Sequence, residues 1–154
     1  MPYSELLRGR ASLGGQIYLV TAVTRNRVPL FTNLHLGRIV VRTLHCQEVA
    51  ARAPTLAYVV MPDHLHWLVQ LRPGSNLSEV VRSVKGKSAF DINRAVGTRR
   101  RVWQQSFHDR ALRREENLGD VARYVVRNPL RAGLVRRLNE YPLWDAVWAY
   151  PESG

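Results

Sequence analysis

Two histidines spaced i and i+2, His64 and His66, sit in the run Tyr58-Val59-Val60-Met61-Pro62-Asp63-His64-Leu65-His66-Trp67-Leu68-Val69. On a β-strand, residues two apart point to the same face, so both imidazoles can converge on one divalent ion. A second pair, Tyr124 and Asn128, is spaced i and i+4 in Ala122-Arg123-Tyr124-Val125-Val126-Arg127-Asn128-Pro129. On a helix that spacing puts the phenol and the amide side by side, one turn apart. Asn128 can offer an amide oxygen as a third metal ligand, leaving open positions for a phosphate. Phenols are weak nucleophiles until positive charge lowers the cost of the phenolate. A metal with open positions provides that charge and polarises the phosphate. Nucleotide hydrolases with alternating histidines would want a third one at position 68, where Leu68 stands instead.

The elements that must bring these groups together are legible from periodicity. Gln16–Thr24 is a β-branched and aromatic run, apolar on both faces, which predicts a central strand. Asn33 caps a helix expected to run to about Ala51. Strands follow at Thr55–Met61 and His64–Leu71, joined by a turn at Pro62-Asp63. Asn76 and Glu79 have capping-box spacing and open a helix through Leu77, Val80, Val81 and Val84, with Gly86 as an interruption before Ser88–Ala95. Arg101–Phe107 is the expected fourth strand, and Glu115–Asn128 an amphipathic helix that Pro129 should stop. A short helix over Leu130–Leu138 and a Trp-rich tail complete the chain.

The order is β-α-β-β-α-β plus a C-terminal helix, an α+β ferredoxin-like plan with an antiparallel sheet. Both crossover helices of that plan lie on one face. Leu65, Trp67, Val69 and Leu71 should lie beneath them, while His64, His66, Leu68 and Gln70 share the other, open face. The Tyr124 helix is the one element free to cover that face, with Leu118, Val121, Ala122 and Val125 as its apolar stripe.

Composition sets the partner class. Lys+Arg is 23 against 12 Asp+Glu, a net charge of +11, and Lys85 and Lys87 are the only lysines. An arginine-rich surface of this kind attracts polyanions, nucleic acid above all. Lys85, Lys87, Arg99, Arg100, Arg101, Arg110, Arg113 and Arg114 are candidate DNA-backbone contacts. Trp103, Trp144, Trp148 and Tyr150 are candidates for base stacking, although Trp103 is expected in the core. The tail from Tyr141 to Tyr150 is expected to pack back on the domain, and His108 to be structural. The 154 residues suit a single domain, with a core over about 15–136 and a tail over 137–154. No apolar run can span a bilayer, and the single cysteine, Cys46, fits a reducing cytoplasm.

Three segments carry a family resemblance. The 58–69 run resembles the His-hydrophobic-His (HUH) motif of single-tyrosine transposases. Val102-Trp103-Gln104 with Phe107-His108-Asp109-Arg110-Ala111-Leu112-Arg113, and Ala122-Arg123-Tyr124 through Leu134, are similar to the REP-associated tyrosine transposases, relatives tied to repetitive extragenic palindromes. The likeness spans roughly residues 15–136, with its motifs in order. It implies a ferredoxin-like fold, single-stranded hairpin DNA as partner, Mg²⁺ or Mn²⁺ as cofactor, and a 5′-phosphotyrosine intermediate with a released 3′-OH. It also implies Tyr124 as nucleophile, His64 and His66 as ligands, and Asn128 as the polar third ligand, a position other members fill with a different residue. Asp63 replaces the commoner asparagine and can tune a histidine from behind, or simply make the turn. The resemblance leaves monomer and homodimer open. A non-cleaving hairpin-binding regulator is the competing reading. An RNA-binding sheet would need exposed aromatics on the open face, where Tyr18 is the sole easy candidate.

Overall fold

A computed structural model describes residues 15–147. Its centre is a five-stranded antiparallel sheet in the order β4-β1-β3-β2-β5. β1 is Ile17–Val23, β2 Thr55–Met61, β3 His64–Gln70, β4 His108–Ala111 and β5 Trp144–Ala146. The first four strands, with the helices between them, follow the expected ferredoxin-like plan.

The helical side of the sheet carries the main core. Tyr18, Val20 and Ala22 of β1, Tyr58 and Val60 of β2, and Leu65, Trp67 and Val69 of β3 pack there. Against them lie α1 (Leu34–His45) and α3 (Leu77–Val96), with the short α2 (Gln47–Arg52) following α1. The caps are the expected ones. Asn33 accepts from His35 N and Leu36 N, and Asn76 accepts from Glu79 N. The buried indoles keep their N–H groups satisfied, Trp67 donating to Thr55 Oγ1 at 2.7 Å and Trp103 to Ser88 Oγ at 3.0 Å. Trp103 is thus a core residue.

The structure differs from the sequence expectation in four places. The helix expected to reach Ala51 breaks at Cys46, whose extended backbone separates α1 from α2. The helix expected to falter at Gly86 runs unbroken from Leu77 to Val96, although glycine in a helix interior costs about 1 kcal/mol relative to alanine. The fourth strand is displaced. Trp103 makes only a bridge to Thr24, flanked by Arg25 N donating to Val102 O and Gln104 N to Val23 O. The regular pairing begins at His108, opposite Thr21. Between them Lys85 Nζ donates to the carbonyls of Gln104 and Ser106, drawing the backbone toward α3. β4 is exposed and polar, a composition that blunts an edge but carries no alternation to read.

The fourth difference lies at Pro129. The helix carrying Tyr124, α4 (Leu118–Val126), ends before it, but a further turn, α5 (Asn128–Arg131), follows at once. Pro129 sits at the start of that turn, where a missing N–H is tolerated. The expected helix over Leu130–Leu138 amounts to this turn and a single 3₁₀ turn at Leu138–Glu140.

The tail packs back as expected as far as it is described, and does so as β5 on the outer edge of β2. Trp144 is half-buried there, donating Nε1–H to Leu138 O. Tyr141 donates its hydroxyl to Val60 O. Leu143 packs against Gly37 of α1 so closely that any Cβ there would collide with it. Trp148 and Tyr150 lie outside the described residues.

Candidate metal and nucleic-acid site

α4 covers the open face of the sheet. Leu118, Ala122 and Val126 close a second core over Leu56, Ala57, Leu68 and Ala146, and Val125 packs on Val59 and Met61. Alternation along β3 leaves His64 and His66 on that same face, because Leu65 and Trp67 face the other way. Beside them on β1 stands Thr21, in register with His66, and Val23 is in register with His64.

The two imidazoles converge. Their Nε2 atoms are 3.2 Å apart and the ring planes are nearly perpendicular. Both Nδ1 atoms are held from behind, His64 by Asp63 Oδ1 at 2.7 Å and His66 by Thr21 Oγ1 at 3.0 Å. A proton on each Nδ1, donated to these oxygens, leaves the Nε2 lone pairs pointing at one another. Asp63 is in turn braced by Arg27, whose Nη1 lies 3.2 Å from Oδ2. Arg27 and its neighbour Asn26 both have left-handed backbone, a strained pair for non-glycine residues. Burial alone would raise the Asp63 pKa. The hydrogen bond and charge of His64, then those of Arg27, outweigh it and hold the carboxyl below its usual value.

His66 is pushed down to about 4, first by burial and then by the positive charges of His64 and Arg131. It is therefore a neutral imidazole near pH 7. The sign of the resulting linkage is fixed. An unfolded histidine takes a proton near pH 6.5, and the folded protein refuses it until about 4, so stability is lost as pH falls through that window. We expect the chelator-treated protein to lose on the order of 2 kcal/mol between pH 7 and pH 4.5, read from urea midpoints. His66→Gln should flatten that slope. An equal slope in the variant would refute the assignment.

Tyr124 projects from α4 with 61% of its surface exposed. The Arg131 guanidinium lies over its ring, 3.8 Å from the centroid. The charge of the same arginine also contributes, after burial and His64, to the lowered pKa of His66. Asn128 opens α5 and is half-buried. Among the described residues neither its side-chain amide nor the Tyr124 hydroxyl has a hydrogen-bond partner. Tyr124 and Asn128 thus lie on consecutive helical segments rather than on one helix. Sequence reasoning missed Arg131, Thr21 and Arg27. Arg131 had a signal, lying i+7 from Tyr124. The strand register that places Thr21 had none.

His108 is opposite Thr21 across β1 and β4, so it shares the face of His66, two strands away. Arg110 is opposite Leu19 on that same face and is paired with Glu116 through Nη1 at 2.7 and 3.0 Å. Lys85 spends its ammonium on backbone carbonyls on the helical side of the sheet. Lys87, Arg99, Arg100, Arg101, Arg113 and Arg114 are exposed. Among the described residues no three His, Cys, Asp or Glu side chains cluster as metal ligands, and no helix is long and apolar enough to cross a membrane.

Comparison with known proteins bears on this geometry. The family model described as IS200-like transposase matches residues 14–128. A Haemophilus influenzae protein named as a REP-associated tyrosine transposase is 23% identical over 141 residues, covering 83% of this chain and 78% of that protein. A REP-associated tyrosine transposase of Escherichia coli is 28% identical over 87 residues, 56% of this chain and 50% of its own length. Among solved structures, a REP-associated tyrosine transposase bound to a REP hairpin superposes with a TM-score of 0.66 at 24% identity, covering 84% of this chain and 76% of that one. A Deinococcus radiodurans protein named as a transposase gives 0.52 at 20% identity, covering 73% and 89%.

Proposed function

The chain belongs to the family of IS200-like transposases, and from that premise we propose that it cuts and rejoins single-stranded, hairpin-containing DNA through a 5′-phosphotyrosine bond at Tyr124. His64, His66 and Asn128 hold a divalent metal ion, Mg²⁺ or Mn²⁺, in this reading. The observation that carries it is the convergence of the two histidine Nε2 atoms at 3.2 Å with both Nδ1 atoms engaged. Two imidazole nitrogens that share one ion at about 2.1 Å sit roughly 3.0–3.4 Å apart. Nδ1 partners that fix ring and tautomer are the usual support of a metal-binding histidine. The donor set of two neutral imidazoles and one amide oxygen leaves room for phosphate oxygens and fits such an ion. When bound, the ion supplies Lewis acidity at the scissile phosphate.

The chain's own residues do the rest. The Tyr124 oxygen, after losing its proton to solvent, attacks phosphorus. The bond from phosphorus to the 3′ oxygen breaks, and that oxygen leaves as a 3′-OH. Arg131 holds the phenol ring and puts a fixed positive charge beside the oxygen that becomes negative before attack. For rejoining, a 3′-OH attacks the phosphotyrosine and the phenol departs. The REP hairpin on the structural neighbour supports hairpin DNA as the ligand class here. The net charge of +11 supports a polyanion. Lys87, Arg99, Arg100, Arg101 and Arg113 serve as backbone contacts in this reading, with Lys85 and Arg110 acting through the structure they hold. Localisation in the cytoplasm and a monomeric or homodimeric state belong to the same proposal.

The test is a denaturing gel after incubation with single-stranded hairpin oligonucleotides and Mn²⁺ or Mg²⁺. A covalent protein–DNA band supports the enzyme. Specific binding with no adduct across hairpins and metals leaves the non-cleaving regulator. A finer expectation concerns Asp63. Asp63→Ala frees His64 to rotate and should weaken Mn²⁺ binding by about 10–100-fold in calorimetric titration. Unchanged affinity would remove Asp63 from the site.

A further inference from the structure

On the opposite side of the sheet from the histidine pair lies a cleft of about 720 Å³ between α3 and the 101–107 segment. Its floor is apolar, from Val81, Ala89, Val102, Trp103 and Phe107. Gln104 and Gln105 also line it, and Arg82 and Arg101, both exposed, border it. Neither arginine has an acidic partner among the described residues.

Gly86 lines this cleft from the middle of α3. Its presence there has no packing explanation. The helix runs through it without a break, and a Cβ added to it would meet nothing within 4 Å. The least favourable helix residue after proline therefore occupies a position where alanine would fit. What a side chain at Gly86 would occupy is the space of the cleft itself. One turn further on, Phe90 is 66% exposed, the most exposed large apolar side chain among the described residues. Arg94 and Arg99 line a second hollow with it. An aromatic face between arginines, beside an apolar slot bordered by two glutamines and two arginines, matches the chemistry of nucleobases joined by phosphates.

We propose that the cleft over Gly86 receives one unpaired base of the DNA, with Arg82 and Arg101 holding its flanking phosphates and Phe90 stacking the neighbouring base. This rests on the reading of the chain as a single-stranded DNA binder, and it adds a base-binding site across the sheet from the site of chemistry. The Lys85 bonds to Gln104 and Ser106 are what keep the slot's outer wall in place. Base binding in this cleft needs no metal and no cleavage.

The probe is a hairpin oligonucleotide with unpaired flanks in which 2-aminopurine is moved one position at a time, bound to the Tyr124→Phe protein in EDTA. One unpaired position should change fluorescence on binding. Gly86→Leu should abolish that signal and weaken binding about tenfold while melting at or above the parent temperature. Phe90→Ala should weaken binding by roughly tenfold. Arg82→Ala and Arg101→Ala should each reduce the salt dependence by about one ion. Parent-like binding by both Gly86→Leu and Phe90→Ala overturns the cleft assignment. If those variants bind normally while wild type still forms the covalent adduct, the proposed function stands and this inference alone falls. If wild type binds no single-stranded DNA, both fall.

Discussion

Tyr124→Phe is expected to form no covalent adduct with hairpin DNA while binding it as tightly as wild type. The substitution removes one oxygen and nothing else. That oxygen makes no hydrogen bond among the described residues, and the ring is largely exposed, 61% by surface. The variant's stability should therefore stay within about 0.5 kcal/mol of wild type, as for ordinary surface changes. Phenylalanine keeps the face over which the Arg131 guanidinium sits, so the local arrangement persists. A phosphodiester attacked by tyrosine has no substitute nucleophile of the same reach, so the loss should be complete on a denaturing gel. An adduct of undiminished yield would remove Tyr124 from the reaction and point to another side chain. The matched binding measurement keeps that conclusion separate from any failure to engage DNA.

The second large effect falls on His64. His64→Ala should cut cleavage by about 10³-fold, equivalent to roughly 4 kcal/mol of lost transition-state stabilisation. DNA binding should fall far less, because the basic surface that attracts the strand is untouched. His64 is the better position to test than His66. Burial is the first cause of the lowered His66 pKa, so its removal mixes folding with chemistry. His64 is half-buried at the start of β3 and is held by Asp63, which keeps Arg27 as a partner in the variant. Chelation of wild type should reproduce the loss, and Mn²⁺ should restore wild type but not the variant. Equal cleavage by His64→Ala and wild type would end the metal assignment.

The histidine pair was legible because alternation along a strand is a strict rule, and Leu65 and Trp67 are too apolar to face anything but the main core. The helix over the open face was legible for a similar reason, since Leu118, Ala122 and Val125 repeat at helical spacing. What periodicity could not supply was anything set by register or by long-range pairing. Thr21 reaches His66 Nδ1 only because β1 and β3 align those two residues. The shift of the fourth strand to His108 goes with Lys85, on the preceding helix, capturing two carbonyls, a contact that periodicity does not report. β5 is three residues long and holds no alternation of its own, so it exists only through the edge of β2. Asp63 is readable from its place before His64 as a brace for a histidine, but its own brace, Arg27, depends on backbone strain that residue types alone do not announce.

That short last strand has a consequence for how the molecule is made. β2 is followed directly by β3, and the two pair through a tight connection, so this hairpin can form early. The strand that finishes β2's other edge is drawn from residues that emerge from the ribosome only after α4 and α5. Until then the nascent protein exposes a row of unpaired amides on an apolar strand, which any extended segment can claim. The nearest such segment in a crowded preparation is the same stretch of a neighbouring copy. Trp144, Leu143 and Tyr141 would seat equally well in the other molecule's sockets, so domain exchange through the tail competes with self-closure. Dilution selects the closed form, because only the intramolecular route is independent of concentration.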